Sequence, residues 1–170
     1  MTRLETERLV IRPFKVTDFD EHYAAVFSDP MVMRYLPGGK PIPEERARSA
    51  ISRFMESWET KGYGLAAVFR KDDNRLIGHC GLQNLDGTYD TEIAYALAPH
   101  CWGMGYATEA AKASRDFGFN GLNLDRIVAI AAHENAPSRR VIEKLGMTYE
   151  RDDRFFDLDV AFYGLDRPSR

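Results

Sequence analysis

The stretch TEIAYALAPHCWGMGYATEAAK, residues 91–112, decides the fold. Its first seven residues alternate as a strand does, and then the period changes. From Met104 onward Ala107, Ala110, Ala111, Ser114, Phe117 and Gly118 fall on one small or apolar stripe, while Lys112, Arg115 and Asp116 lie away from it. A helix with so small a face packs closely on something flat. Between strand and helix sit Gly103 and Gly105. A helix start leaves about four backbone N–H groups unpaired and carries roughly half a positive charge, so it attracts phosphate. The glycines could equally serve only to let the helix lie close to the sheet. As a phosphate loop the stretch is not a P-loop, because no Gly-Lys-Ser/Thr follows the glycines. It is not a dinucleotide fingerprint either: five residues separate Leu97 from Gly103, Thr108 takes the third small position, and Asp125 precedes its strand.

Working outward, RLVIRPF (8–14) reads as a first strand, and a helix follows with Thr17 or Asp18 as cap and Pro30 helping to end it. A second helix fits residues 43–61, with Ala47, Ala50, Ile51, Phe54 and Trp58 on one face and Gly62 as its stop. GLAAVF (64–69) and RLIGHCGL (75–82) flank the turn RKDDN as two hairpin strands. RIVAIAA (126–132) is a continuous apolar run, as expected of a central strand covered on both faces. Asn135 then caps a helix carrying Ser138, Val141, Ile142 and Leu145, stopped at Gly146. RFFDLDVAFYGL (154–165) alternates as a half-exposed antiparallel strand. The order implies an α/β mixed sheet with helices on both faces.

With 170 residues, 44% hydrophobic and 12% aromatic, the chain suits one core and a single domain over 1–170. A formal net charge of −3 offers no basic field, so nucleic acid is not an expected partner. No run of 18 apolar residues occurs and the first ten residues lack a secretory apolar core, so neither membrane nor export is expected and a cytoplasmic location is. Cys80 and Cys101 form no CxxC, and His22, His79, His100 and His133 show no ligand spacing, so no metal is expected.

The set of LETERLVIRPF, TEIAYALAP, WGMGYATEA, HENAPSRRVIEKLGM and DVAFYGLDR, in that order, resembles the GNAT acetyltransferase superfamily, in particular its ribosomal-protein-alanine (RimJ/RimL-like) branch. The resemblance implies a mostly antiparallel sheet splayed at a V-shaped cleft, with acetyl-CoA as co-substrate. It places the pyrophosphate on the amides of Met104, Gly105, Tyr106, Ala107 and Thr108, the pantetheine and acetyl carbonyl on Leu97 and Ala98, and the lower pantetheine near Asn135 and Ser138. Arg139 or Arg140 could reach the ribose phosphate, or simply be solvated. Three departures stand out. Trp102 replaces the family's Gln or Arg, Ile142 stands where many members carry the tyrosine that protonates the thiolate, and Ala94 and Ala96 replace a Gly and a bulky aromatic.

Acetyl transfer needs a neutral amine and stabilisation of the oxyanion. An α-amine titrates near 7.7 to 8.0 and a lysine near 10.4, so an N-terminal acceptor asks for only a weak base. Glu92 is the candidate, acting through water, because it shares a strand face with Ala94 and Ala96; it could also be a solvated residue at a strand start. The Leu97 N–H is the expected oxyanion donor, and Ser138, Tyr149 or Tyr163 the candidate proton relays. Cys101 is a weaker candidate for an acyl-carrying nucleophile, and Tyr35 or Trp58 could shape the acceptor side. The expected partner is an amine acceptor, either a protein N-terminus or a polyamine or other small amine, with the chain a monomer or homodimer. A non-catalytic acyl-CoA-binding module is the rival of a different class.

Overall fold

The computed structural model describes residues 2–169. Its eight strands form one sheet in the order β1-β2-β3-β4-β5-β6-β8-β7. In chain order they are β1 (Leu4–Glu5), β2 (Leu9–Arg12), β3 (Leu65–Arg70), β4 (Leu76–Asn84), β5 (Thr91–Leu97), β6 (Arg126–Ala132), β7 (Thr148–Phe155) and β8 (Leu158–Asp166). Every neighbouring pair runs antiparallel except β5 and β6, which run parallel and share a single register pair, Glu92 with Val128. A parallel pair needs a crossover, and α4 (Tyr106–Asp116) supplies it.

Helix α4 lays Ala110, Ala111 and Ser114 against one face of the sheet, where Ile11, Ala66, Cys80, Leu82, Ile93 and Leu97 meet them. The small stripe is what lets the backbone come so near. Helix α5 (Ala136–Lys144) covers the same core with Ile142, joined by Leu145 just past its end. On the opposite face lie α1 (Phe19–His22), α2 (Pro30–Met33) and α3 (Glu44–Lys61), packing Phe19, Met33, Ala47 and Ile51 onto Ala67, Phe69 and Ala96. Trp58 belongs to packing, stacked on Phe117 and donating to the Leu65 carbonyl. Both faces are thus covered, which explains why β6 reads as a continuous apolar run.

Three expectations need correction. A short strand, β1, precedes the expected first strand and pairs with it. The expected helix of residues 17–30 is two: α1 runs on into a π turn, Tyr23–Phe27, and Pro30 opens α2 rather than ending anything. Asp29 caps α2 by accepting from the Met31 and Val32 N–H groups, and proline suits a first helical position because its missing N–H has no partner there anyway. Residues 154–165 are not one strand; Phe156 and Asp157 adopt positive φ (53° and 60°) and turn β7 back into β8. Two consecutive left-handed residues make a hairpin turn that alternation alone does not announce.

Under α1 the core holds a polar pair. His22 Nε2 and His79 Nδ1 lie 2.9 Å apart among Phe14, Phe27 and Phe54. His22 Nδ1 is the one fully buried side-chain nitrogen or oxygen without a partner among the described residues. Burial holds the His79 imidazole down to about 4, and burial together with His79 holds His22 well below the usual value. Between about 6.5 and 4 the unfolded chain therefore takes protons that the folded chain refuses, and stability falls as pH falls. Glu92 acts in the opposite sense, because burial lifts its carboxyl to about 7: from there down to about 4.5 it keeps a proton that the unfolded chain gives up. Glu92→Gln removes that counterweight. In urea unfolding between pH 6.5 and 5 the variant should lose stability more steeply than the parent, by about 1.4 kcal/mol per pH unit, and equal slopes would refute this accounting.

Candidate active site

The site is built where the sheet comes apart. The Ala98 N–H donates to the Ile77 carbonyl at 2.8 Å, continuing the β4–β5 ladder. In an antiparallel ladder alternate residues turn their N–H and C=O to the same neighbour. Ala96, Ala94 and Glu92 therefore face β4 with Ala98, and Ile93, Tyr95 and Leu97 face the β6 side. There the β6 pairing ends at Glu92 with Val128, so the N–H groups of Tyr95 and Leu97 look into the gap. The Leu97 carbonyl is taken by the Trp102 indole N–H at 2.8 Å. The tryptophan standing in for Gln or Arg thus fastens the loop to the strand end.

This geometry separates two residues that the sequence joined. Leu97 keeps its N–H on the gap. Ala98 does not: its N–H is bound to Ile77 and its carbonyl accepts from the Cys101 N–H at 2.9 Å. The second group open to the gap belongs to Tyr95 instead. Parity along the ladder decides this, and parity needs the register.

The loop closes the open end of the gap. Gly105 caps α4 at φ 81°, a left-handed conformation that side chains resist, and its carbonyl accepts from the Glu109 N–H. With no side chain capping this end, the amides of Gly105, Tyr106, Ala107 and Thr108 lack helical partners, and a Cβ on Gly103 would meet nothing within 4 Å. An anion can approach that backbone. Arg8 holds the loop's other flank: its Nη1 donates to the Met104 carbonyl at 2.8 Å, its Nε to Glu109 at 2.7 Å, and its guanidinium lies 4.4 Å from the Tyr106 ring centre. Glu109 also accepts from the Arg8 N–H and the Thr6 hydroxyl; burial alone would raise its carboxyl, but these bonds keep it lowered. Its charge is spent on Arg8, on the β2 side of the helix.

Glu92 sits at the apex of the gap, 6% exposed, on the α1–α3 side of the sheet with Ala94 and Ala96. It accepts only a 3.2 Å bond from Gln83, so burial dominates and lifts the carboxyl to about 7. It is not a solvated residue at a strand start. On the other side of the gap Asn135 caps α5, accepting from the Ser138 N–H at 3.3 Å. Ser138 Oγ lies 2.9 Å from the Tyr95 hydroxyl. Ile142 is buried in the core and offers no hydroxyl to the gap.

The remaining candidates are paired elsewhere, exposed or buried. Arg139 donates to the Tyr163 hydroxyl at 2.9 Å, and Tyr149 donates to Asp152 at 2.8 Å. Arg140 is exposed and Arg34 lies over the half-buried Tyr35. Cys101 is buried and burial raises its thiol, which argues against a nucleophile. Among the described residues no group of three His, Cys, Asp or Glu converges as a metal site, and no helix is long and apolar enough to cross a membrane.

Arg8 and Tyr95 are the residues that sequence reasoning missed, although both lie in the stretches quoted for the family resemblance.

Comparison with known proteins gives the family. The acetyltransferase (GNAT) domain family matches residues 8–148. The chain is 36% identical over 147 residues to the uncharacterized N-acetyltransferase YnaD of Bacillus subtilis, covering 86% of this chain and 83% of that one. Among solved structures, a GNAT-family acetyltransferase from Bacillus anthracis superposes with a TM-score of 0.85 at 31% identity, covering 98% of this chain and 99% of that one. Mycobacterium smegmatis RimJ, solved in complex with CoA-disulfide, superposes with a TM-score of 0.81 over 97% of this chain and 86% of that one; at 20% identity it speaks for the fold alone. The sheet split at β5 and β6, the glycine loop and these matches lead to one conclusion: the chain belongs to the GNAT acetyltransferases and is an acyl-CoA-dependent N-acetyltransferase.

Proposed function

We propose that the chain moves the acetyl group of acetyl-CoA directly to a primary amine, with the α-amine of a protein or peptide N-terminus as acceptor, in the manner of the RimJ/RimL-like branch. The observation that carries this is the alignment of free backbone donors, from Tyr95 and Leu97 in the gap to residues 105–108 at the helix start. The helix amides would take the pyrophosphate, Tyr95 and Leu97 the pantetheine and acetyl carbonyl, and Asn135 and Ser138 the end near the sulfur. When bound, acetyl-CoA supplies an activated thioester, so no acyl-enzyme is required.

Backbone donors fixed by the sheet cost no reorganisation as charge develops on the carbonyl oxygen, and the Leu97 N–H serves there. Glu92 draws a proton from the amine through water. A carboxyl lifted to about 7 is matched to an α-ammonium near 8 and poorly matched to a lysine near 10.4, which favours an N-terminal acceptor over a polyamine. Incubation with acetyl-CoA and a panel of free-amine peptides and polyamines, read by mass, tests the acceptor. Acetylation confined to polyamines would overturn the N-terminal assignment, and tight acetyl-CoA binding with no transfer at all would leave a binding module.

Two variants test the roles. Glu92→Gln should lower kcat/KM most between about pH 7 and 8, where the parent's carboxylate is ionised and much of the amine is still protonated. The deficit should shrink below about pH 6, where the parent's Glu92 is protonated too. A pH profile parallel to the parent's would make Glu92 structural. Arg8→Ala should weaken acetyl-CoA binding about tenfold by freeing the Met104 carbonyl and leaving Glu109 an unpaired anion beside the loop, measured by calorimetry; unchanged affinity would remove Arg8 from the site.

A further inference from the structure

Tyr95 projects from β5 over the open gap, and its hydroxyl meets α5. It lies 3.1 Å from the Ser138 carbonyl oxygen and 2.9 Å from Ser138 Oγ. Among the described residues these are the only side-chain hydrogen bonds that join β5 to the β6–α5 side of the split. The hydroxyl is half of a two-proton system whose members have different choices. A carbonyl oxygen only accepts, whereas each hydroxyl donates one proton and accepts others.

Two arrangements fit the same heavy atoms. In one, Tyr95 donates to the Ser138 carbonyl, and Ser138 Oγ spends its proton on the Tyr95 oxygen. In the other, Tyr95 donates to Ser138 Oγ, and the serine proton is released to point elsewhere. Only the two O–H bonds rotate between them. The first suits an empty gap, because every proton is used internally. The second suits an anion beside Ser138, because a charged acceptor makes the stronger bond.

We propose that Tyr95 is a positioning residue that turns Ser138 into a hydrogen-bond donor to the CoA sulfur, the role left open where the family's tyrosine is replaced by Ile142. The inference rests on the cofactor reading given above. No proton changes owner in it: Tyr95 keeps its proton on Ser138 Oγ, Ser138 keeps its proton on the sulfur, and solvent later neutralises the departing thiolate. Burial pushes the Tyr95 hydroxyl up, so it is a poor acid and suited to donating a bond without surrendering the proton. A cysteine thiol titrates near 8.5 and an alkyl thiol without its backbone groups no lower, so a bond that favours the thiolate eases its departure near neutral pH.

Calorimetric titration with CoA and with desulfo-CoA, at pH 7 and pH 8.5, tests this without any acceptor. The parent should prefer CoA, by about tenfold at pH 8.5 and by less at pH 7, as the thiolate fraction grows. Tyr95→Phe and Ser138→Ala should each abolish the preference while leaving desulfo-CoA affinity within about twofold, and the double variant should lose no more than either single one. The proposal is overturned if Tyr95→Phe keeps the preference, or if it weakens both ligands alike, which would make the tyrosine a strap and no more. It is overturned as well if the parent shows no preference at either pH, an outcome that leaves the cofactor reading intact. If the parent binds neither ligand, the cofactor reading itself fails and the proposal falls with it.

Discussion

One interrupted ladder governs this molecule. Seven strand junctions hold the sheet together, and six of them are antiparallel, each with two or more register pairs. The seventh, β5 with β6, is parallel and survives for a single register pair. Beyond it the two halves of the sheet part, and the strand that should have been central acquires an edge inside the protein. Unpaired backbone groups in such a place are expensive unless something satisfies them. A ligand with amides and a carbonyl along its length is chemically what those groups lack. The fold thus leaves backbone donors open at the split by withholding hydrogen bonds.

The same economy recurs at the ends of the gap. At the open end α4 starts on a glycine with no side-chain cap, so its first amides have no partner either. At this loop Arg8 has its charge matched by Glu109, and it steadies the Met104 carbonyl. At the apex Glu92 is buried with one weak partner, and the cost of ionising it there raises its carboxyl to about 7. Trp102 and Tyr95 close the remaining sides, one fastening loop to strand and the other strand to α5. Stability is spent on orientation here, while the cores on the two faces, built of Ala, Ile, Leu and Phe, recover it.

Much of this was legible in the sequence, and the parts that were not share a cause. The extents of β5 and β6 follow from local pattern alone, and so does the change of period at α4. The loop's amides were legible because glycine and helix chemistry are local. That Glu92 shares a face with Ala94 and Ala96 follows from strand alternation, but its burial comes from elements distant in the chain. Ala98 and Tyr95 were exchanged because register parity decides which amides face the gap, and parity is set by Ile77, twenty-one residues before Ala98. Arg8 lies about a hundred residues from Glu109, and nothing local links them. The turn at Phe156 and Asp157 was hidden because Phe156, a bulky residue at positive φ, carries no turn signature, and Asp157 alone does not outweigh the alternation around it. Local chemistry is written locally; partners across the fold are not.

The central claim is that the amides exposed by the split receive the cofactor. Amide hydrogen exchange read residue by residue, with and without CoA, addresses it most directly. The account predicts slowed exchange on CoA binding at Tyr95 and Leu97 and at residues 105–108, with Ala94, Ala96 and Ala98, already bound within the sheet, unchanged. Slowing at Ala96 and Ala98 with Tyr95 and Leu97 unaffected would contradict it, because the parity on which the site is built would then be wrong.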